Sequence, residues 1–473
     1  MTRLERATRD TFRSLRSRNY RLYFLAQVVS VSGTWMQAVA QAWLVLQLTG
    51  SGTLLGLTTG LQFLPILVAG PWAGVLADRV DKRRLLIATQ STAALLAVLL
   101  GALTAAGVVT LWMVLVLAFA FGCVVAVDNP ARQSFVLEMT GPEDLPNAVT
   151  LNSVVINAAR GIGPAIGGLL IATVGIAVCF LVNGASYLAV IAALVMMRPD
   201  ELHLGKRASR GPKQLREGFT YVWGTSELRI PLLVMAAVGT FTYEFHVTLP
   251  LLAKYTFGGG ALAYGGLTAV MGLGAVVGGL ASARRSDASV RALLRSSWIL
   301  GLLILATAFA PNLWSAIVIL VLVGAASIRF IATANATLQL GAAPHMRGRV
   351  MALWSVAFLG STPLGGPFIG WVGQTYGARG ALVVGGVAAL AASLLGYRAL
   401  ARHSQSAHLA PRHRRPAALA GVAFGMIRGL ARPGVSRSRR RAPARDGSVR
   451  PRRHRPARRP ADAAATPAHR PPA

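Results

Sequence analysis

From Leu22 to Ala77 the chain runs for 56 residues without an Asp, Glu, Lys or Arg, and Leu85 to Val127 adds 43 more. A helix crossing a hydrocarbon core of about 30 Å needs about 20 mostly apolar residues, so the first tract alone holds two crossings. Unpaired backbone groups cannot face lipid, which leaves helices or a closed barrel. Barrel strands would alternate polar and apolar residues, and "LLAVLLGALTAAGVV" and "LWMVLVLAFAFGCVVAV" do not. The chain therefore reads as an all-α integral membrane protein. Its composition agrees, with 54% hydrophobic residues and a mean hydropathy of +0.53 over 473 residues.

Splitting the apolar tracts at charges and Gly/Pro turns gives twelve spans: 22–47, 53–77, 85–107, 111–132, 147–172, 175–197, 230–253, 262–282, 292–310, 313–335, 350–374 and 380–400. A basic segment, 1–21, precedes them and shows no apolar core of a cleavable signal peptide. Residues 22–197 form one six-helix bundle and 230–400 another, with 198–229 as a hydrophilic loop between them. Residues 401–473 form a basic tail expected to be disordered.

The net charge of +32 does not point to nucleic acid, because the tail alone carries 18 Arg against two Asp. Attraction of the tail to anionic lipid, or a GC-rich frame read out of register, would also fit its composition. Loops on one side of the twelve spans hold Arg79, Lys82, Arg83, Arg84, Arg284, Arg285, Arg291, Arg347 and Arg349, and the other side only Lys254 and Arg379. The basic side is expected in the cytoplasm, with both termini, in a bacterial plasma membrane. Cys123 and Cys179 fall inside apolar spans and read as small core residues.

The halves repeat each other. Gly163-Pro164-Ala165-Ile166-Gly167 matches Gly366-Pro367-Phe368-Ile369-Gly370 at an offset of 203, and "GVLADR" from Gly74 aligns with "GLASAR" from Gly279 at 205. Repeats of this kind imply twelve transmembrane helices in two pseudo-symmetric six-helix bundles with a pathway between them.

Between the two longest uncharged tracts lies "GVLADRVDKRR", Gly74 to Arg84. It resembles the loop signature after the second span in the major facilitator superfamily, with Asp81 at the place of a second Gly. "GIGPAIGG", containing Gly163, Pro164, Gly167 and Gly168, resembles the Gly-Pro motif of that superfamily's drug antiporters. "GTWMQAVAQAWLVLQLTGS" and "RGRVMALW" resemble the branch containing the enterobactin exporter and related efflux proteins. The resemblance implies a secondary transporter that exports small amphipathic molecules, drug-like compounds or a siderophore, by alternating access with proton antiport. The alternatives are an uptake permease and a non-transporting membrane sensor or assembly partner. A monomer in the lipid bilayer is expected, with small-molecule substrate and protons as partners and no nucleic acid.

The signature also implies a conformational latch. Gly74 and Asp78 would meet the start of span 11 near Val350, where a helix N-terminus favours a carboxylate, while Arg79 and Lys82 would pair with Asp128 at the inner end of span 4.

Charges within spans are candidates for the transport pathway because centring one in a bilayer costs about 2.5–3.5 kcal/mol. Arg160, 13 residues into span 5, either binds an anionic substrate or biases a nearby carboxylate, or is a structural donor. Glu244 is a candidate for proton coupling, since burial favours the protonated form of a carboxyl, or else a water-exposed vestibule residue. Arg329 could pair with it or snorkel. His246 reads as a core residue on the opposite helix face. Gln37 and Gln41, near Trp35, either contact substrate or bond between helices. Gly70 and Gly74, like Gly274 and Gly278, read as close-packing sites. There is no phosphate-binding loop, no HExxH metal site and no nucleophile constellation, so neither an enzyme nor a cofactor or metal is expected.

Overall fold

The computed structural model describes residues 11–203, 214–283 and 288–409, with side chains except at Pro71, Gly74, Val75, Asp78, Gln214, Leu215, Arg216, Ser282, Ala283 and 403–409. The basic tail beyond 409 and Arg284 and Arg285 lie outside the described residues.

Among the described residues, ten helical stretches are long and apolar enough to cross a membrane. One of them, Leu111–Thr173, holds 63 residues. At 1.5 Å per residue it would be about 95 Å long, three times a bilayer core. It breaks at Gly141, whose φ of 70° is open to glycine, followed by Pro142. It is therefore spans 4 and 5. Span 1, Arg18–Thr49, is long enough but less apolar, because its amides face the protein interior. Twelve spans result. The others are Gly52–Arg79, Lys82–Ala105, Ile176–Val195, Ala261–Ala283, Val290–Ala308, Leu313–Gly341 and Gly377–Leu409, with spans 7 and 11 each in two pieces.

Local chemistry sets the boundaries. Span 1 stops at Gly50, in the left-handed region at φ 63°, and the Ser51 side chain caps span 2. Asp81 caps span 3, its carboxylate accepting from the Arg84 amide at 2.9 Å. That gives the departure from the superfamily signature a structural role. Span 7 runs Ser226–Phe241, breaks over Thr242–Glu244, resumes as Phe245–Leu251 and ends in a π-helical turn, Leu252–Thr256. Span 11 is Arg347–Phe358 followed by Thr362–Thr375.

Several boundaries differ from expectation, and span 12 runs to Leu409, so residues 401–409 of the expected disordered tail are helical. Span 4 continues to Thr140, because nothing in "ARQSFVLEMT" stops a helix before Gly141-Pro142. The central loop contains a helix, Gln214–Gly224. Cys179 is buried, but Cys123, on span 4, is exposed and not a core residue.

Within the first half, span 1 packs on spans 5 and 6, span 3 on span 6, and span 4 on span 2. Within the second, span 8 packs on span 10, and span 9 on spans 10 and 12. The broadest contacts between the halves are span 2 with span 11 and span 5 with span 8, and spans 1 and 2 also touch span 7. The chain end carrying Arg79, Lys82 and Arg349 is called the basic end below, and the opposite one the far end.

Candidate functional site

Glycines make both seams. A Cβ on Gly52 would stand 2.7 Å from the Gly370 carbonyl oxygen, and one on Gly60 3.2 Å from that of Pro363. Between them, Gly56 lies so close to the Gly366 carbonyl that any side chain would overlap it. Across the second seam, a Cβ on Gly168 would stand 2.9 Å from Gly265 Cα, and one on Gly265 2.6 Å from the Pro164 carbonyl. The repeated Gly-Pro motif thus serves the same purpose twice, letting spans 5 and 11 cross the opposite bundle at backbone contact. Gly163 and Gly167 face inward instead, against Ser32, Trp35 and Met36 of span 1.

Hydrogen bonds between the bundles cluster at the far end. The Gln374 side-chain oxygen Oε1 accepts from Ser51 Oγ at 2.6 Å, Thr53 Oγ1 at 2.8 Å and the Thr53 amide at 3.1 Å. On the π-helical turn, Lys254 Nζ donates to the Leu46 carbonyl at 3.0 Å and the Tyr255 hydroxyl to that of Gly50 at 2.8 Å. An ammonium at the C-terminus of span 1 also meets the negative end of its dipole.

Toward the basic end from this seal lies a cavity of about 370 Å³. Trp35, Phe63, Phe121 and Val124 give it an apolar wall, and Gln27, Gln41, Gln62, Gln90 and Asn129 a wall of amides. Its charges are Asp128 and Arg132, one helical turn apart on span 4. Arg132 binds Asp128 through Nε and Nη2 and donates to Gln27 Oε1 at 2.6 Å. The other carboxylate oxygen of Asp128 accepts from Thr89 and Gln90, each at 2.8 Å. The carboxylate is buried, and all its bonds are to cavity-wall spans. Amides, aromatic faces and a neutralised charge pair together suit an amphipathic molecule that both packs and hydrogen-bonds.

The expected pairing of Arg79 and Lys82 with Asp128 is not what the structure shows. Lys82 pairs with Glu138 at 2.5 Å, Arg79 is exposed, and Asp128 belongs to Arg132. The reason is the longer span 4, which carries Asp128 twelve residues away from its basic end. The surroundings of Gly74 and the side chain of Asp78 lie outside what the structure describes, while Val350 is buried among Val222, Leu228 and Leu338.

Among the pathway candidates, Glu244 is 2% exposed and no vestibule residue. It sits in the break of span 7, against Gly365 and Gly366 of the span 2–span 11 seam, and its Oε1 makes no hydrogen bond. Arg329 is exposed and pairs with no carboxylate among the described residues. Arg160 stacks its guanidinium 5.0 Å from the Trp35 ring centre, with Nε buried and unbonded. Trp35 in turn stacks on His246 at 5.7 Å, so His246 lines the cavity rather than the core. The chain at Glu244 is not helical, which defeats the helix-face argument. Gln41 lines the cavity and donates to Gln62, while Gln37 accepts from Asn183 between spans 1 and 6. Gly70 has open space at its Cβ, whereas Gly274 and Gly278 do pack on span 10. Arg132 stands at the expected end of span 4, and the one sequence signal for its role is its spacing of four from Asp128.

A family model described as a transmembrane secretion effector matches residues 9–432. The chain belongs to the major facilitator superfamily. As a member it is a membrane transporter and not an enzyme. This superfamily chain is 23% identical over 380 residues to the staphyloferrin A transporter of Staphylococcus aureus, covering 79% of this chain and 94% of that one. It is 29% identical over 363 residues to the multidrug efflux pump Tap of Mycobacterium tuberculosis, covering 73% and 84%. Its fold matches a bacterial homologue of the human lysosomal transporter Spinster, solved inward-facing and unoccupied. The TM-score is 0.67 at 16% identity, covering 82% of this chain and 98% of that one.

Proposed function

We propose that this protein exports small amphipathic molecules, drug-like compounds or a siderophore, by alternating access coupled to proton antiport. The observation that carries this reading is a cavity of amides, aromatic rings and one charge pair, closed toward the far end by two seams between the bundles. The names of the relatives, a siderophore transporter and a drug efflux pump, favour these substrate classes. The excess of Lys and Arg in the basic-end loops favours a cytoplasmic basic end, with both termini there, in a bacterial inner membrane. A monomer suffices for this scheme, because one chain supplies both bundles and the cavity.

Glu244 is the coupling residue in this scheme. Its carboxyl touches the seam that must open, so gaining or losing a proton changes the charge buried there. When the far end opens and the basic end closes, Asp78 meets the first turn of span 11, which begins at Arg347. Arg160 acts through Trp35, setting that ring against the substrate.

Purified protein in liposomes with an imposed pH gradient tests the scheme, with ethidium as the transported probe. Wild type should move ethidium against its gradient. Glu244→Gln should lower that to the protein-free background while ethidium binding is kept. A wild-type protein that moves nothing would favour a sensor, and uphill transport by Glu244→Gln would remove Glu244 from coupling.

A further inference from the structure

The helix Gln214–Gly224 lies in the connection between the bundles and belongs to no span. One face is fixed to the neighbouring span ends. Glu217 pairs with Arg349 at 3.0 Å, and the Tyr221 hydroxyl accepts from the Ala343 amide at 3.1 Å. Val222 is buried with Leu338 and Val350, and a Cβ on Gly218 would stand 3.0 Å from Arg349 Cβ. These partners mark the end of span 10 and the start of span 11. A single residue, Thr225, then separates the helix from the start of span 7 at Ser226. Three span ends therefore fix its level, beside the end of span 10 and the starts of spans 7 and 11.

The opposite face carries Phe219 and Trp223, one turn apart. Their rings stack at 4.9 Å and 19°, and they are 50% and 46% exposed. No charged residue stands between them in the sequence. Aromatic rings held at this level, pointing away from the protein, match the side chains that populate membrane–water interfaces. Arg229 donates to the Trp223 carbonyl at 3.4 Å, which brings a cation close to the patch for lipid phosphates.

We propose that Gln214–Gly224 is an interfacial helix, docked on the lipid headgroup–acyl boundary through Phe219 and Trp223. Because its other face holds Arg349 and Val350, it ties the start of span 11 to the membrane surface. A rocking motion of span 11 must then carry this helix across or through the headgroup layer.

Spin labels at Phe219→Cys and Trp223→Cys test this, in the full chain with Cys123→Ser, reconstituted in liposomes of phosphatidylcholine and phosphatidylglycerol. Collision with lipid-soluble oxygen should exceed collision with water-soluble nickel-EDDA at both sites, and the reverse should hold for a label at exposed Asp200. Dominant nickel collision at the two sites would place the helix in water and overturn the proposal. Protection from both reagents would mean that protein covers the patch, which also overturns it. The sites are read independently, so poor insertion of one variant leaves the other to decide.

Discussion

Gly56→Val should nearly abolish transport while leaving the protein in the membrane. Spans 2 and 11 cross with the Gly56 backbone against the Gly366 carbonyl, and a branched side chain there has no flexible neighbour to displace. Overpacking of this kind costs about 1–3 kcal/mol. The cost falls only on the state with the far end sealed, since each bundle keeps its own packing. About 3 kcal/mol changes a two-state ratio roughly 150-fold, so a cycle that must visit the sealed state slows by that order. Gly70→Val, on the same span but with open space at its Cβ, should be close to neutral. Flux in liposomes, set against membrane abundance by immunoblot, separates the two. Normal flux through Gly56→Val would mean that the seam need not close.

Arg132→Ala should be the most damaging change to stability. It removes two bonds to the buried Asp128 carboxylate and one to Gln27, leaving only Thr89 and Gln90 as donors to that carboxylate. Breaking one side of a buried ion pair costs about 3–5 kcal/mol. Asp128→Asn combined with Arg132→Gln should restore much of it, because both charges then go together. Thermal unfolding of detergent-purified protein gives the comparison. Equal losses in the single and double variants would show that the pair is not coupled.

Much of this fold was legible because lipid imposes so simple a rule. Uncharged tracts of 56 and 43 residues allow only spanning helices, and Gly-Pro repeats at a common offset betray two bundles. The site was harder to read. A helix continues past a charge when charge and counter-charge lie one turn apart, as Asp128 and Arg132 do, so ending span 4 at its first charges hid the cavity's ion pair. The vestibule alternative for Glu244 and the core reading of His246 fail for a related reason. A break in span 7 at Thr242–Glu244 cannot be seen in a run that stays apolar on both sides, and it turns the two side chains independently. Gln37 and Gln41 show the limit from another direction. They are the same residue type one turn apart, and only the position of span 6 makes Gln37 a helix–helix bond and Gln41 part of the cavity wall.

Transport in this scheme requires the far end to open and reseal between Thr53 and Gln374. Cysteines at these two positions, in a Cys123→Ser chain, can be tied by a short bifunctional thiol reagent, because the native side chains already lie within hydrogen-bonding distance at 2.8 Å. The cross-linked protein in liposomes should bind ethidium but move none, and a reducible cross-link should return flux to the uncrosslinked level on reduction. Full transport with the far end tied shut would contradict the claim.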